Sequence, residues 1–277
     1  MTETPGARTA SPNGRVRPAE GGDEWLRPIS RVVPGSGAAA QLICFPYAGG
    51  GASAFCAWRS GAALDGIAVA AVQYPGHETR IAAARPSSVG ELVADLRTGL
   101  ADVWHGPFAL FGHSFGAVVA WELTVALHRA GLSLPLRLFV AGARAPGSPR
   151  PSPIHQLPDR EFLAAASAYG GIPEEVRRDP SLIGDLVALL RHDFRLMETH
   201  VEADATIPVP ITALGGTGDA HVPVAALLGW ASRSSKSFRV HMFDGDHFFP
   251  FGKAATAVAA AVAEDLRAVL PVRELAT

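Results

Sequence analysis

From Trp25 onward, short apolar runs alternate with longer segments whose apolar positions recur at i, i+3, i+4 and i+7. "QLICF" (41–45), "IAVAAVQY" (67–74), "FALFG" (108–112), "LRLFVAG" (136–142), "PITALGG" (210–216) and "FRVHMF" (238–243) read as strands. "SVGELVADLRTGLADVW" (88–104) and "GAVVAWELTVALHRAG" (116–131) carry the helical recurrence, and "AATAVAAAVA" with "EDLRAVL" after it reads as a C-terminal packing helix. Strand and helix in alternation predict an α/β fold, a mostly parallel sheet with helices on both faces.

One segment departs from this alternation. Between the runs ending near Ala143 and starting near Pro210 lie roughly sixty residues without a convincing strand. They open with "RAPGSPRPSP" and continue in helical pattern through "DREFLAAASAYGG" and "PSLIGDLVALLRHDFRLMETH". In the second of these, Leu182, Leu186, Leu189, Leu190, Phe194 and Met197 share one face, a pattern that is more often ordinary core than a binding surface. A helical insertion at about 144–206, between two late strands of a parallel sheet, would sit over the carboxyl ends where such sheets bind ligands. The expected organisation is a disordered tail over 1–24 and one domain over 25–277 with this insertion as a lid.

Composition narrows the partners. With 48% hydrophobic and 18% charged residues the chain can bury a large core, and a net charge of -2 spread along the sequence excludes the basic field that nucleic-acid binding requires. The tail has no apolar signal segment, and the longest apolar stretch is far short of the ~18 residues that span a bilayer. A cytoplasmic protein without membrane attachment is expected. Cys44 and Cys56 make neither a metal-ligand spacing nor a disulfide framework, and both read as packing residues.

The chemistry concentrates in "FALFGHSFGAVVAWEL". Gly112-His113-Ser114-Phe115-Gly116 is a G-x-S-x-G elbow with a strand before it and a helix after it, the context in which a serine becomes a nucleophile. Side chains at 112 and 116 would collide across so sharp a turn. A serine hydroxyl needs a base and an orienting acid, and in an elbow fold these follow in the order acid, then histidine, on loops after later strands. His247 in "FDGDHFFPFG" and Asp219 in "ITALGGTGDAHVP" satisfy that order. His241 lies within a strand, His221 shares the acid's own loop, and Asp244 and Asp246 are too close to His247 to orient it. His113 is expected to pack beside the nucleophile, and the other histidines lack ligand spacing, so no metal and no cofactor are expected.

The three glycines of "FPYAGGGASAF" lack both the dinucleotide pattern and the Gly-Lys-Ser/Thr ending of a phosphate loop. Their place after an early strand suits the second backbone donor of an oxyanion hole. That donor is assigned to Ala48, with Tyr47 as the lesser candidate, and the first donor to the Phe115 N–H.

Taken in order, "CFPYAGGGASAFCAW", "VQYPGHETR", "FGHSFGAVVAWEL", "LPDREFLAAASAYGGIPEEV", "LRHDFRLMETH", "ITALGGTGDAHV" and "FDGDHFF" resemble the blocks of the stand-alone type II thioesterases of polyketide synthases and non-ribosomal peptide synthetases. The resemblance implies an α/β-hydrolase fold with a helical lid. It also implies hydrolysis of stalled or aberrant acyl groups from the phosphopantetheine arm of acyl or peptidyl carrier proteins, by a monomer. It places the triad on Ser114, Asp219 and His247, with the oxyanion donors on Ala48 and Phe115. Tyr47 stands where the family often has histidine, His77 where arginine is common and Pro250 where an aliphatic residue is usual; these departures bear on acyl-chain preference. The alternative reading is a small-molecule carboxylesterase or lipase with the same triad, and a third is an interaction protein on a hydrolase scaffold, which would not need all three groups. A basic docking face for an acidic carrier protein is weighed on Arg137, Arg144, Arg150, Arg177, Arg178, Arg191 and Arg195 against the commoner solvated-face reading.

Overall fold

The computed structural model describes residues 22–32, 37–59, 62–170 and 180–270. The expected tail over 1–21 lies outside these residues, as do Arg177 and Arg178. The strands are β1 (Leu26–Pro28), β2 (Ala40–Phe45), β3 (Ile67–Val72), β4 (Phe108–His113), β5 (Leu138–Ala141), β6 (Ile211–Gly216) and β7 (Phe238–Phe243). The helices are α1 (Gly22–Trp25), α2 (Val89–Gly99), α3 (Phe115–Arg129), α4 (Asp159–Ser167), α5 (Pro180–Thr199), α6 (Val224–Leu228) and α7 (Ala255–Arg267).

All six expected strands form, and they build one sheet in the order β1-β3-β2-β4-β5-β6-β7. Every neighbouring pair is parallel except β1, which runs antiparallel to β3. The sequence pattern misses β1 because three residues ending in proline show no period. Gly22 to Glu24, expected in the tail, instead form the helical turn that leads into it.

β3, β4, β5 and β6 are buried at every position, as strands covered on both faces must be. Alternate side chains supply the two layers. Ile43 and Phe45 point toward α2 and α3, where Leu92, Leu96, Val119 and Trp121 meet them. Leu42 and Cys44 point the other way, into a layer with Phe55, Trp58 and, from α7, Val258 and Val262. Cys44 is thus a core residue, and burial pushes its thiol pKa up. Cys56 departs from the expectation: it lies exposed on the 3-10 turn over Ala52–Trp58, whose inward positions are Ala52, Phe55 and Trp58.

The chain places β3 on one side of β2 and β4 on the other, so a crevice opens at the carboxyl ends of β2 and β4. α4 and α5 fall between β5 and β6 in sequence and pack on each other through Phe162, Ala166, Val187, Leu190 and Phe194. From the apolar stripe of α5, Leu190 and Phe194 are core in this small cluster and Leu186 and Met197 pack at its margin, while Leu189 is only partly buried. The Leu182 side chain lies outside the described residues. Among the described residues no helix is long and apolar enough to cross a membrane.

The turn from β4 into α3 brings that helix against the end of β2. A Cβ on Gly116 would strike the Phe45 and Pro46 carbonyl oxygens, and one on Gly112 would strike the Gly116 carbonyl. Gly184, on the outer face of α5, would meet nothing within 4 Å. The same substitution therefore has opposite signs at the two places. Gly116→Ala is expected to destabilise by about 1–3 kcal/mol or more through overpacking, and Gly184→Ala to stabilise by about 0.5–1 kcal/mol by removing a mid-helix glycine; urea melts of the two variants measure both.

Candidate active site

Ser114 is the residue before the first turn of α3 and has φ 53° and ψ -116°, a left-handed conformation that side-chain-bearing residues rarely adopt. The surrounding backbone holds it there. Its N–H donates to the Ala141 carbonyl at 2.9 Å, and its own carbonyl accepts the Ala117 N–H at 2.9 Å. The two glycines are required for a reason sharper than collision with each other: position 116 must let the end of β2 pass within touching distance of α3. The serine is half-buried and lines a cavity of about 270 Å³ that His247 and Tyr169 also line.

The loops after β6 and β7 carry the other two groups and are stitched together. Thr217 N–H donates to Phe243 O and Gly218 N–H to Gly245 O, both at 2.8 Å. This brings the Asp219 carboxylate to His247, Oδ2 lying 2.8 Å from Nδ1, with both side chains almost wholly buried. Asp219 Oδ1 accepts the N–H groups of His221 at 2.8 Å and Val222 at 3.2 Å. Burial by itself would raise the Asp219 pKa, but the His247 hydrogen bond and charge, with those two N–H donors, outweigh it and hold the carboxyl below its usual range. A carboxylate on Nδ1 makes that nitrogen the N–H donor, which leaves Nε2 of a neutral ring with its lone pair. Nε2 is buried and has no hydrogen-bond partner among the described residues. Asp244 and Asp246 are exposed, and Asp246 caps the Phe248 N–H at 2.8 Å.

Phe115 opens α3, so its N–H is one of the donors that a helix leaves without an internal acceptor. Ala48 lies in the loop after β2, beside the elbow, because Phe45 pairs in register with Gly112 and the Pro46 carbonyl lies against Gly116. It packs between the main core and the α4–α5 cluster. The adjoining glycines are less free than a run of three suggests. Gly49 has φ 76° and lies so close to Leu190 that a Cβ would overlap it, and its N–H donates to Asp193 Oδ2 at 2.7 Å.

His113, fully buried, packs as expected beside Ser114, its ring 5.0 Å from that of His247 and 5.9 Å from that of Tyr47. Burial and the neighbouring His247 charge push its pKa well down, so the ring stays neutral. His241 is held outside the site, at 3.1 Å from Asp265. His221 stacks on Tyr169 with ring centroids 3.7 Å apart, and Tyr169 in turn stands edge-on to His247.

Two residues at the site went unassigned in the sequence. Tyr169 sits inside a quoted block without a chemical role, and only the fold brings it to His247. Asp193 carries a faint signal, an acid between Leu190 and Phe194 on the buried side of α5, where it is 1% exposed. Of the weighed arginines, Arg177 and Arg178 lie outside the described residues, and the others have partners within the chain. Arg137 is 2% exposed and donates to Thr212 Oγ1 at 3.0 Å, while Arg144, Arg150, Arg191 and Arg195 each bond to groups of the same chain. Among the described residues no cluster of His, Cys, Asp or Glu is placed to hold a metal ion.

With this geometry in place, the chain can be compared with known proteins. A thioesterase domain profile matches residues 40–266. The gramicidin S biosynthesis protein GrsT of Aneurinibacillus migulanus is 35% identical over 77% of this chain and 84% of its own length. Thioesterase PikA5 of Streptomyces venezuelae is 34% identical over 81% of this chain and 79% of its own. The structure of the type II thioesterase BorB from the borrelidin biosynthetic cluster superposes with a TM-score of 0.77 at 34% identity, covering 88% of this chain and 98% of that one. A serine on a strained elbow, an Asp–His pair at its cavity and a match spanning most of the chain lead to the same conclusion: the chain belongs to the thioesterase domain family.

Proposed function

We propose that this protein is a type II thioesterase that releases acyl groups from the phosphopantetheine arm of carrier proteins in polyketide or non-ribosomal peptide assembly, clearing chains that have stalled or are aberrant. The observation that carries the reading is the buried Asp219–His247 pair, which shares one cavity with Ser114 at the elbow. The relatives support the substrate class, since GrsT, PikA5 and BorB are all named for biosynthetic assembly pathways or as thioesterases.

The chemistry follows from the groups present. His247 Nε2, with Nδ1–H held on Asp219, takes the Ser114 hydroxyl proton as Oγ attacks the thioester carbonyl. The tetrahedral oxyanion forms against the N–H groups of Phe115 and Ala48. The carbon–sulfur bond breaks, the proton on His247 passes to the pantetheine sulfur, and the acyl group remains as an ester on Ser114. Water then attacks that ester while His247 takes its proton, and the returning proton restores the serine as the free acid leaves. The helical segment with α4 and α5 closes the cavity from above, serving as a lid. The protein works as a monomer in the cytoplasm, without cofactor or metal, and its partners are carrier proteins.

Ser114→Ala is expected to lower turnover of an acyl-pantetheinyl carrier protein by at least about a thousandfold. A rate within tenfold of the parent would remove Ser114 from the mechanism. Parallel assays on oxygen esters of the same acyl groups separate this reading from a carboxylesterase or lipase: thioester turnover on the carrier is expected to exceed that of the ester, and a strong ester preference would reverse the assignment.

The Asp219 pairing also sets an acid limit. Its folded pKa lies below the unfolded carboxylate value of about 4, so the stabilisation is complete above that value and is lost as pH falls through the lowered one. Asp219→Asn is therefore expected to cut turnover by about a thousandfold or more and to flatten the acid side of the stability-against-pH curve. Urea melts at a series of acidic pH values measure the second effect, and a variant curve as steep as the parent's would contradict it.

A further inference from the structure

The oxyanion loop is held by a buried charge pair that the mechanism above does not use. Asp193 on α5 presents one oxygen, Oδ2, to two donors: the Gly49 N–H at 2.7 Å and His77 Nε2 at 2.9 Å. The other ring nitrogen of His77, Nδ1, lies 3.1 Å from the Pro75 carbonyl. A carbonyl and a carboxylate are both acceptors, so both ring nitrogens must carry hydrogen, which makes His77 an imidazolium. His77 and Asp193 are 2% and 1% exposed, so the pair stands in surroundings that screen it little.

The pair is joined to both expected oxyanion donors. Gly49 follows Ala48, and Leu190, one turn before Asp193 on the same helix, fills the space that a Cβ on Gly49 would need. The Tyr74 ring stands edge-on to His77 at 5.6 Å and to Phe115 at 5.8 Å, and its hydroxyl donates to the Pro46 carbonyl at 3.3 Å. We propose that Asp193 is a positioning residue for acyl transfer: held by the His77 imidazolium, its carboxylate fixes the Gly49 N–H and thereby aims the Ala48 N–H at the developing oxyanion. The claim deepens the thioesterase reading and rests on it for the role of Ala48. It makes α5 part of the catalytic geometry, since the loop is set only when that helix is docked.

The charged and titratable groups around His77 fix the pH dependence. Asp193 and His192 face it from α5, Arg85 from the segment before α2, and Tyr74 from the end of β3, while the adjacent Glu78 is turned to Ser53. Burial lowers the His77 pKa and Arg85 lowers it further, but the hydrogen bond and charge of Asp193 with the Pro75 carbonyl prevail and raise it. The clasp is therefore complete below the ordinary histidine value and is lost as pH rises through the raised one.

The test uses the full chain and two readouts that do not require a carrier protein: hydrolysis of a small activated acyl thioester, and the rate at which a fluorophosphonate labels Ser114, both followed from about pH 6 to pH 10. Asp193→Ala is expected to lower kcat and the labelling rate by about tenfold to a hundredfold, with KM for the small thioester within about twofold. Asp193→Asn, whose amide oxygen can still accept the Gly49 N–H, recovers part of that loss. His77→Arg, a permanent cation, moves the alkaline decline of kcat to higher pH. Parent-like kcat and labelling in Asp193→Ala would overturn the proposal, as would an alkaline decline in His77→Arg that coincides with the parent's. Should Asp193→Ala fail to fold by circular dichroism, His77→Arg decides by whether its alkaline decline of kcat moves to higher pH or coincides with the parent's. Failure of the thioesterase reading has a separate signature, a parent protein that labels at Ser114 and leaves carrier-bound thioesters intact.

Discussion

The active geometry depends on one backbone constraint, the left-handed conformation of Ser114 at φ 53°. Such a conformation costs on the order of 1–3 kcal/mol and persists only where its surroundings over-determine it. Here they do. The N–H and carbonyl of Ser114 are both bonded, β4 is buried on both faces, and the two flanking glycines let α3 start in contact with the end of β2. Ser114 stands just past the end of β4, where it lines the cavity, at the crevice where β3 and β4 part on either side of β2. Every other group in the site is placed relative to that point.

Two further sets of contacts converge on it. From one side the loops after β6 and β7, tied by backbone hydrogen bonds, deliver a buried carboxylate and imidazole as a unit. From the other, the loop after β2 brings Ala48 beside the elbow and is fastened to α5 through Leu190 and Asp193. The first set is built on adjacent parallel strands. The second spans two packing clusters, and Ala48 sits where they meet. On the proposed reading, an acyl chain on a long arm is admitted and water is then excluded from an oxyanion, a sequence of events that a loop fastened to α5 would suit.

Much of this was legible in the sequence because the determining signals are local. Continuous apolar runs marked the buried strands, and G-x-S-x-G in strand-to-helix context marked the elbow. The positions of Asp219 and His247 just past the ends of two strands marked the pair that the fold brings to 2.8 Å. What was not legible depends on contacts between distant segments. His77 and Asp193 are 116 residues apart and Gly49 and Asp193 are 144 apart, and no spacing rule joins an acid in an apolar helix to a histidine in a loop. Arg137 read as a surface cation because its inward partner, Thr212 on β6, is 75 residues away in sequence. Cys56 read as core because an apolar neighbourhood in a 3-10 turn does not show which side faces out. β1 was missed because its pairing with β3, and no pattern of its own, makes it a strand.

The central claim is that an acyl group on Ser114 has its oxyanion held by two backbone donors, one from the start of α3 and one from the loop after β2. A crystal structure of the Ser114 phosphonate adduct tests this in one measurement. The expected result is a phosphoryl oxygen within about 2.7–3.1 Å of both the Ala48 and Phe115 nitrogens, with His247 Nε2 facing the leaving-group side. An adduct whose oxygen turns away from the Ala48 N–H, or one formed on a residue other than Ser114, would contradict the account.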